Sequence, residues 1–418
     1  MKRSSPRLFS AAVALLFVFF GHCAIAFSAS AAPAPAPVLL ISLDGFRWDY
    51  CQLHPEATPH LRQLMREGVS ARGLIPMFPS NTFANHYSIA TGLYPAHHGI
   101  INNIFFDAQL GEYFRYKVPA ANHDPRWWGG EPIWITAVKQ SRKSATYFWP
   151  GSEVIFGENI RATIAKPYDY SEPFESRRDE LFSWLHLPDE ERPAIIAFYF
   201  EETNRAGHYF GPGSPEVLAA IKLLDSQIGS IVDRARAEHI PLNLVIVSDH
   251  GFIATDGKAK TAMLDDYIDF DAVQVDFDGP VAGLRPNDGN VDALVRHLSA
   301  LPSNYKVYRA EDLPARWHLT LTPRIPPVWI VPDPSWRIQR RSTFLAVKDD
   351  TLQGEHGYDP ARPEMHGIFI AQGPAFKSGG DVIDAVENIH IYNLLCAALN
   401  LRPAPNDGDD RLVRSVLR

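Results

Sequence analysis

Four short motifs hold acidic, amide and histidine side chains of the kinds that bind metal ions. They are LDGF with Asp44, NRAGH with Asn204 and His208, SDHG with Asp249 and His250, and GEHG with His356. Carboxylate oxygens and imidazole nitrogens are ligands suited to Zn²⁺. A single aspartate at the end of a strand is more often a turn former or a helix cap than a ligand. The convergence of four such motifs in one chain favours a zinc site.

A threonine, Thr82, stands where a Pro-Ser-Asn loop meets a run that predicts a helix ending at Gly92. A threonine hydroxyl is a weak nucleophile unless a base or a metal ion activates it. The start of a helix offers free backbone N–H groups and the positive end of the helix dipole, and both favour an anion. Thr82 is therefore a candidate nucleophile if the metal ligands converge on it.

Each metal-type motif follows a probable strand or lies in a glycine-bearing loop. The run APVLLISLDGF leads to Asp44 and the run LNLVIVSDHGF leads to Asp249 and His250, while RPAIIAFYFEE and MHGIFIAQGP are two further apolar runs. We interpret all four as buried parallel strands. Ligands of a doubly wound sheet bind beyond the carboxyl ends of its strands, which is where these three side chains fall.

Helical patterns lie between the predicted strands. The segment TPHLRQLMREG predicts a helix with Thr58 as its cap and Gly68 as its stop, and residues 214–239 place apolar side chains at spacings of three and four. The alternation predicts an α/β fold with a doubly wound, mainly parallel sheet and helices on both faces. From residue 263 to 345, short strands, one helix and many prolines predict a small inserted α+β lobe. This lobe would divide the α/β core into residues 32–262 and 346–418.

The N-terminus predicts export. Residues 1–31 have a basic start, an apolar centre and small residues at their end, which is typical of a secretory signal peptide. We therefore expect a periplasmic or secreted protein. The apolar run is too short to predict stable membrane insertion, and His22 before Cys23 argues against a lipoprotein. Cys51 and Cys396 are far apart in sequence, so a disulfide and two buried thiols both remain open.

The composition restricts the class of partner. Hydrophobic residues make up 46% of the chain, charged residues 21%, and the formal net charge is -8. This balance is typical of a globular protein and argues against a nucleic-acid polymer as partner. The composition carries no signal for an oligomeric state.

Six blocks of sequence together resemble the nucleotide pyrophosphatase/phosphodiesterase family of the alkaline phosphatase superfamily. They are SLDGFRWDY, FPSNTFANHYSIATGLYPAHHGIINN, WPGSE, EETNRAGHYFGP, SDHGF and GEHGYDP, and they lie in order between about residues 38 and 375. The resemblance implies an alkaline phosphatase-like α/β core. It also implies hydrolysis of nucleotide phosphodiester or pyrophosphate bonds to nucleoside monophosphates, through a nucleotidyl ester of Thr82.

The resemblance also implies the roles of individual residues. It assigns one zinc ion to Asp44, Asp249, His250 and Thr82, and a second to Asn204, His208 and His356. Asn103, in GIINN, would help to stabilise the phosphoryl oxygens. Phe83 and Tyr168 would sandwich the base of a nucleotide substrate.

Asn204 departs from the family pattern, which has an aspartate four residues before His208. An amide oxygen can bind Zn²⁺, but it is neutral and a weaker donor than a carboxylate. Loss of an outer partner of a ligand already costs about 10–100-fold in affinity or activity, so loss of a charged ligand should cost at least as much. We therefore expect a weakened second zinc site.

Two alternatives stay open beside the nucleotide hydrolase. One is a phospholipid or choline-phosphate diesterase that uses the same metals. The other is a homologue that binds nucleotides with impaired turnover because of Asn204. A sulfatase is disfavoured because the chain has no CxPxR or SxPxR sequence to supply the modified nucleophile.

Overall fold

The computed structural model of the protein describes Met1, residues 35–346 and residues 351–418. The strands are β1 (Val38–Leu43), β2 (Val69–Ala71), β3 (Leu74–Ile75), β4 (Ile104–Asp107), β5 (Glu112–Arg115), β6 (Ser144–Tyr147), β7 (Ile164–Lys166), β8 (Ile195–Phe200), β9 (Asn243–Val247), β10 (Ile253–Ala254), β11 (Thr261–Met263), β12 (Val273–Phe277), β13 (Ala282–Pro286), β14 (Tyr305–Arg309), β15 (Val328–Pro332), β16 (Arg337–Gln339), β17 (Gly354–Glu355), β18 (Phe369–Gln372), β19 (Asp381–Ile383) and β20 (Val386–Glu387).

The α-helices of the same residues are α1 (Tyr50–Leu53), α2 (Pro59–Glu67), α3 (Thr82–Thr91), α4 (Pro95–His98), α5 (Pro119–Asn122), α6 (Ile133–Lys139), α7 (Phe174–Leu185), α8 (Glu202–Phe210), α9 (Pro215–Ala237), α10 (Val291–Leu298), α11 (Arg341–Ala346), α12 (His390–Ala398) and α13 (Arg411–Val416). The predicted signal peptide, apart from Met1, lies outside the described residues. Within the described residues, no helix is both long and apolar enough to cross a membrane.

A mostly parallel sheet forms the centre of the fold, in the strand order β19-β2-β18-β9-β1-β8-β6-β7. Strand β1 pairs in parallel with β8 and β9, and Val38 lies opposite both Ile195 and Asn243. This register brings the carboxyl ends of the three strands to one level. The predicted doubly wound α/β fold is confirmed, and the side chains that follow these strands meet at one edge of the sheet.

Alternate residues of β1 enter two separate apolar clusters. Val38 and Leu40 pack in the cluster that contains α3, α6 and α12, whereas Leu39, Ile41 and Leu43 pack in the cluster that contains α2, α7 and α9. Successive side chains of a strand point to opposite faces, so helices cover both faces of the sheet. This arrangement explains why the strands read as continuous apolar runs.

One strand direction differs from the sequence prediction. The run MHGIFIAQGP forms β18, which pairs antiparallel with β9. Both faces of β18 are buried, and a doubly buried antiparallel strand has the same apolar pattern as a parallel one. The sequence pattern could not report its direction.

Two predicted helices agree closely with the structure. Helix α3 begins at Thr82 and is followed by Gly92, which adopts a left-handed conformation with φ 69°. Helix α2 follows Thr58 and ends before Gly68, but the Thr58 hydroxyl donates to the carbonyl of His54 and does not cap the helix.

A four-stranded sheet with the order β12-β13-β15-β14 lies between the two parts of the main sheet in sequence. Helix α10 packs on it, and a third apolar cluster, from Leu264 to Ile338, fills the space between them. The domain borders at residues 263 and 345 remain predictions. Cys51 and Cys396 are unpaired and buried in the described part of the chain.

Candidate active site and metal-ligand clusters

The first ligand cluster lies beyond the carboxyl ends of β1 and β9. Asp44, Asp249 and His250 are buried, and each offers a ligand atom within 4.8 Å of the others. The Nε2 atom of His250 lies 3.4 Å from Oδ1 of Asp44 and 3.1 Å from Oδ2 of Asp249. The parallel register of the two strands therefore brings together three of the predicted ligands.

Two carboxyl groups lie close together in this buried cluster, and each shifts the ionisation of the other. Burial, together with the Asp249 carboxylate, raises the pKa of Asp44. Burial opposes ionisation of Asp249 as well, but the imidazoles of His250 and His86 lower its pKa to about 2. Oδ1 of Asp44 and Oδ2 of Asp249 are buried without a hydrogen bond from any described residue. Buried oxygens of this kind, beside an imidazole nitrogen, fit a divalent cation.

Neighbouring groups fix the orientation of the three ligands. The Tyr199 hydroxyl donates to Oδ2 of Asp44 over 2.6 Å, and the Gly45 amide donates to Oδ1 of Asp249 over 3.2 Å. Nδ1 of His250 lies 3.0 Å from the carbonyl oxygen of Gly251. Hydrogen-bonded at Nδ1, the imidazole presents the lone pair of Nε2 to the cluster, as metal-binding histidines usually do.

Thr82 is the first residue of α3 and lies beside the first cluster. Its Oγ1 is 3.4 Å from Nε2 of His250, and its side chain lines the same cavity as Asp44. The backbone N–H of Phe83, the next residue, donates to Oδ1 of Asn103 over 2.9 Å. Asn103 thereby keeps its amide N–H groups as donors, while its carbonyl is engaged. Thr82 and Asn103, the predicted nucleophile and the predicted phosphoryl donor, therefore line the same cavity beside the start of α3.

The second ligand cluster contains His208, His356 and a residue that the sequence did not single out, Glu355. Nδ1 of His356 lies 2.8 Å from the carbonyl oxygen of Ser80, which leaves Nε2 as its ligand atom. Burial and the neighbouring imidazoles lower the pKa of His356 well below its usual range. The neutral form that binds metals is therefore the favoured form. Glu355 also pairs with Arg337 over 2.8 Å.

Asn204 lies on α8, one turn before His208. Its Oδ1 atom is buried and has no hydrogen bond from the described residues. The hydroxyl of the preceding Thr203 donates to the backbone carbonyl of Asp44 over 2.6 Å, which fastens α8 to the end of β1. An unsatisfied buried amide oxygen that shares its cavity with His208 and His356 fits a cation as a neutral ligand.

A cavity of about 790 Å³ joins the two clusters to the surface. Its walls include the predicted site residues Asp44, Thr82, Phe83, Asn103, Tyr168, Asn204, His208 and His356. Asp249 and His250 complete the first cluster but do not line the cavity. The structure therefore brings all ten predicted residues to one site.

The two predicted aromatic residues have different surroundings. Phe83 is partly buried, and its ring centroid lies 5.2 Å from that of Tyr116. Tyr168 is 50% exposed, and its hydroxyl donates to Glu201. Both rings line the cavity, and neither belongs to the interior of a hydrophobic cluster. A flat apolar ligand between them would remove both rings from water.

Sequence reasoning missed several cavity residues. Lys117 and Arg205 add positive charge to the walls, and Tyr116, Tyr170 and Tyr209 add aromatic surface. None belongs to a strand-end ligand motif. Arg205 and Tyr209 could have been found from their place within NRAGHY, because each directly follows a predicted ligand.

Comparisons with known proteins agree with this geometry. Residues 38–359 match the family model described as type I phosphodiesterase/nucleotide pyrophosphatase. An uncharacterized pyrophosphatase/phosphodiesterase of Schizosaccharomyces pombe is 38% identical over 383 residues, which are 89% of this chain and 78% of that protein. The ectonucleotide pyrophosphatase/phosphodiesterase family member 1 of Homo sapiens is 38% identical over 392 residues. That match covers 91% of this chain and 42% of the human protein, so the chain spans less than half of that relative.

Solved structures extend the likeness to three dimensions. Murine ectonucleotide pyrophosphatase/phosphodiesterase 5 superposes with a TM-score of 0.84 at 34% identity, over 91% of this chain and 100% of that chain. An inactive threonine-to-alanine variant of that murine protein, in complex with AMP, matches with the same TM-score and identity, over 92% of this chain.

Proposed function

The chain belongs to the type I phosphodiesterase/nucleotide pyrophosphatase family, and from this membership we propose that it is a zinc-dependent hydrolase of nucleotide phosphodiester or pyrophosphate bonds. The products are nucleoside monophosphates. One observation carries the proposal. Thr82 lies at the start of a helix in a cavity whose walls also hold ligands from both metal-type clusters.

Thr82 is the nucleophile in this proposal. Its Oγ1 attacks the phosphorus atom, a bond forms between them, and the bond from phosphorus to the leaving oxygen breaks. The helix dipole of α3 and the amide N–H groups of Asn103, whose carbonyl is held by the Phe83 N–H, stabilise the charge of the phosphoryl oxygens. Water then displaces Thr82, which recovers the proton that it lost in the first step. The complete cycle consumes one water for each bond cleaved. The inactive threonine-to-alanine relative is consistent with this role.

Asp44, Asp249 and His250 would hold one zinc ion, and Asn204, His208 and His356 the second. Glu355 is a further candidate at the second site, because its carboxylate lies with these two imidazoles. When bound, zinc lowers the pKa of a coordinated hydroxyl and neutralises charge that develops on phosphoryl oxygens. The buried oxygens of Asp44, Asp249 and Asn204 that lack hydrogen bonds support the fit of cations at both places.

Phe83 and Tyr168 bind the nucleobase in this proposal, and Asn103 orients the phosphoryl group. Both aromatic rings are accessible from the cavity, and π-faces of all bases can stack on them. The AMP bound to the murine relative supports a nucleotide as ligand. The predicted export signal and the venom phosphodiesterases among the relatives support a secreted or periplasmic location.

Asn204 gives one rival function some support. Its neutral oxygen replaces a family carboxylate, so the protein would bind nucleotides with little turnover if the second zinc were lost. The cavity itself remains open in that case.

An activity panel tests the proposal. Metal-stripped and zinc-restored protein would be assayed with p-nitrophenyl thymidine monophosphate, ATP, p-nitrophenyl phosphorylcholine and a phosphate monoester. We expect zinc-dependent hydrolysis of the first two substrates. Nucleotide binding without hydrolysis would establish the impaired homologue, and preferential hydrolysis of the choline ester would establish the lipid-type diesterase.

A further inference from the structure

A buried histidine that the proposed mechanism does not use, His86, lies on α3 one turn after Thr82. It is fully buried and does not line the cavity that joins the two ligand clusters. Residues four apart lie on the same face of a helix, so its side chain lies on the Thr82 side of α3. The ring therefore contacts residues behind the candidate site without reaching a substrate.

The Nδ1 atom of His86 faces two acceptors. It lies 2.9 Å from the backbone carbonyl oxygen of Thr82 and 3.2 Å from Oδ2 of Asp249. A carbonyl oxygen and an ionised carboxylate can only accept, so Nδ1 carries the proton and donates to the Thr82 carbonyl. The same N–H lies beside the Asp249 carboxylate and attracts it. One side chain thus contacts the main chain of the candidate nucleophile and a candidate metal ligand.

The opposite ring nitrogen ties His86 to the central sheet. Nε2 lies 2.8 Å from Oγ of Ser42, which is in β1 two residues before Asp44. With the proton on Nδ1, Nε2 of the neutral ring accepts a hydrogen bond from the Ser42 hydroxyl. The imidazole therefore bridges the helix that begins at Thr82 and the strand that leads to Asp44.

Two aromatic rings hold the plane of this imidazole. The rings of Trp149 and Tyr199 each meet it edge to face, with centroid distances of 5.2 Å. Nε1 of Trp149 also donates to the backbone carbonyl of His86 over 3.3 Å. Tyr199 is the residue whose hydroxyl donates to Asp44. Because both rings and both nitrogens of the imidazole are in contact, the orientation of His86 is fixed on every side.

Ser42, His86 and Asp249 follow one another in the order of the groups of a serine hydrolase, but they do not form a second nucleophilic site. All three are buried, and none lines the cavity. A hydroxyl that a substrate cannot reach does not attack it. Asp249 also belongs to the first ligand cluster. The series therefore serves to hold geometry.

On the basis of the proposed function, we propose that His86 is a positioning residue that couples the nucleophile to the first ligand cluster. Its Nδ1–H holds the main chain of Thr82 and the carboxylate of Asp249, while Ser42 holds the ring. His86 thereby sets the distance between Oγ1 of Thr82 and the ligand atoms of the cluster. A small misplacement of a reacting group is costly to the rate, and so is a loosened ligand to metal affinity.

Two substitutions separate the roles of the two ring nitrogens. His86→Asn places an amide N–H near the position of Nδ1, whereas His86→Gln places its amide near Nε2 and leaves Thr82 and Asp249 without the donor. The glutamine variant should weaken the tighter of the two zinc sites about tenfold to a hundredfold, and the asparagine variant should keep its affinity within about threefold. Competition with a chromogenic zinc chelator measures both affinities in the absence of substrate.

Kinetics at saturating zinc test the contact with Thr82. With p-nitrophenyl thymidine monophosphate, His86→Gln should lower kcat about tenfold to a hundredfold and change KM less than about threefold, because the side chain does not touch the substrate. His86→Asn should restore most of kcat. Ser42→Ala keeps the imidazole and removes only the partner of Nε2, so it should lower kcat by a smaller factor. It tests the same network without changing a residue of α3.

His98→Asn is the matched control. His98 is also fully buried, and its Nε2 lies 3.0 Å from Oγ of Ser88 on α3, but it lies outside both ligand clusters. The control should lose stability in thermal unfolding and keep the zinc affinity and kcat of the unmodified protein. Thermal unfolding of the other variants checks that they fold.

The outcomes separate positioning from packing and from the proposed function. Equal zinc affinity and equal kcat in the asparagine and glutamine variants of His86 would overturn the proposal. Unchanged zinc affinity in the glutamine variant, or full recovery of its kcat at saturating zinc, would also overturn it. Absence of zinc-dependent turnover by the unmodified protein would overturn the proposed function, whereas the zinc-binding comparison would still decide whether His86 holds Asp249.

Discussion

The imidazole rings of His250 and His356 stack on each other, with centroids 3.6 Å apart and planes inclined by 14°. One ring belongs to the first ligand cluster and the other to the second. Both are buried, and burial lowers the pKa of each. Two stacked neutral rings form a common wall between the clusters, so the two candidate ion sites are adjacent and share one cavity.

The first prediction concerns the nucleophile. Thr82→Ala should lower turnover of p-nitrophenyl thymidine monophosphate by at least about a thousandfold, because the hydroxyl is a reactant. The fold should persist, since alanine is a good helix former at the start of α3. Steady-state kinetics and thermal unfolding measure both effects. Thr82→Ser, which keeps a hydroxyl, is the matched control and should retain part of the activity. Turnover in the alanine variant close to that of the serine variant would remove Thr82 from this role.

The second prediction concerns nucleobase binding. Phe83→Ala and Tyr168→Ala should each lower kcat/KM for nucleotide esters by about tenfold to a hundredfold, the scale of one base–aromatic stack. Bis(p-nitrophenyl) phosphate lacks a base, so its hydrolysis should fall much less. Parallel assays of the two substrates give the comparison. If both substrates lost activity to the same extent, Phe83 and Tyr168 would be packing residues only.

The third prediction concerns Asn204. Asn204→Asp should tighten zinc binding at the second cluster and raise turnover by about tenfold or more, on the scale of changes in a ligand shell. Zinc stoichiometry and kcat would be measured at limiting and at excess zinc. Asn290→Asp is the control, because it makes the same chemical change at the cap of α10, where aspartate is an equally good cap. Tight binding of two zinc ions by the unmodified protein, with no gain from Asn204→Asp, would contradict the idea.

The fourth prediction concerns stability at low pH. Burial lowers the pKa of His98 to about 3, and its ring accepts a hydrogen bond from the Ile100 amide and contacts the Ser88 hydroxyl. The unfolded chain binds a proton here below about pH 6.5, whereas the folded chain stays neutral. His98 therefore destabilises the fold progressively as the pH falls from about 6.5 towards 3.

Between about pH 6.5 and pH 5 this loss amounts to roughly 1.6 kcal/mol of unfolding free energy. Urea unfolding of the unmodified protein and of His98→Asn at both pH values would measure it. The variant should show a smaller loss than the unmodified protein, although it is less stable at neutral pH. His239→Asn, at an exposed left-handed position, should keep the full loss. Equal pH dependence in all three proteins would show that His98 does not contribute.

Sequence reasoning could predict the residues that follow strands. Asp44, Asp249 and His250 end apolar runs, and the sheet places such residues at one edge, so their meeting follows from the fold class. Thr82 was found from a local signal, the junction of a loop and a helix. Both signals depend only on neighbouring residues and on a general rule of the fold.

The remaining features depend on contacts between segments that are distant in sequence. Glu355 joins His208 because β17 lies against α8, and nothing local to GEHG indicates that pairing. The contact of Arg205 with the ring of Tyr170, 35 positions before it, likewise joins two segments that no local pattern relates. The predicted parallel direction of β18 was wrong for a related reason. A strand buried on both faces has the same apolar pattern whether it runs parallel or antiparallel.

Two neighbouring stripes of cavity residues on α8, Asn204 with His208 and Arg205 with Tyr209, have an evolutionary consequence. Asn204 and His208 are candidate metal ligands, while Arg205 and Tyr209, each one position further along the helix, add positive charge and aromatic surface to the same cavity wall. Because the stripes use different residues of one rigid helix, mutation of the second stripe can change which substrates are accepted while the ligands of the first are inherited intact. Helix α8 is therefore a natural place for diversification among descendants of a common hydrolase, and a practical starting point for directed evolution of new substrate preferences.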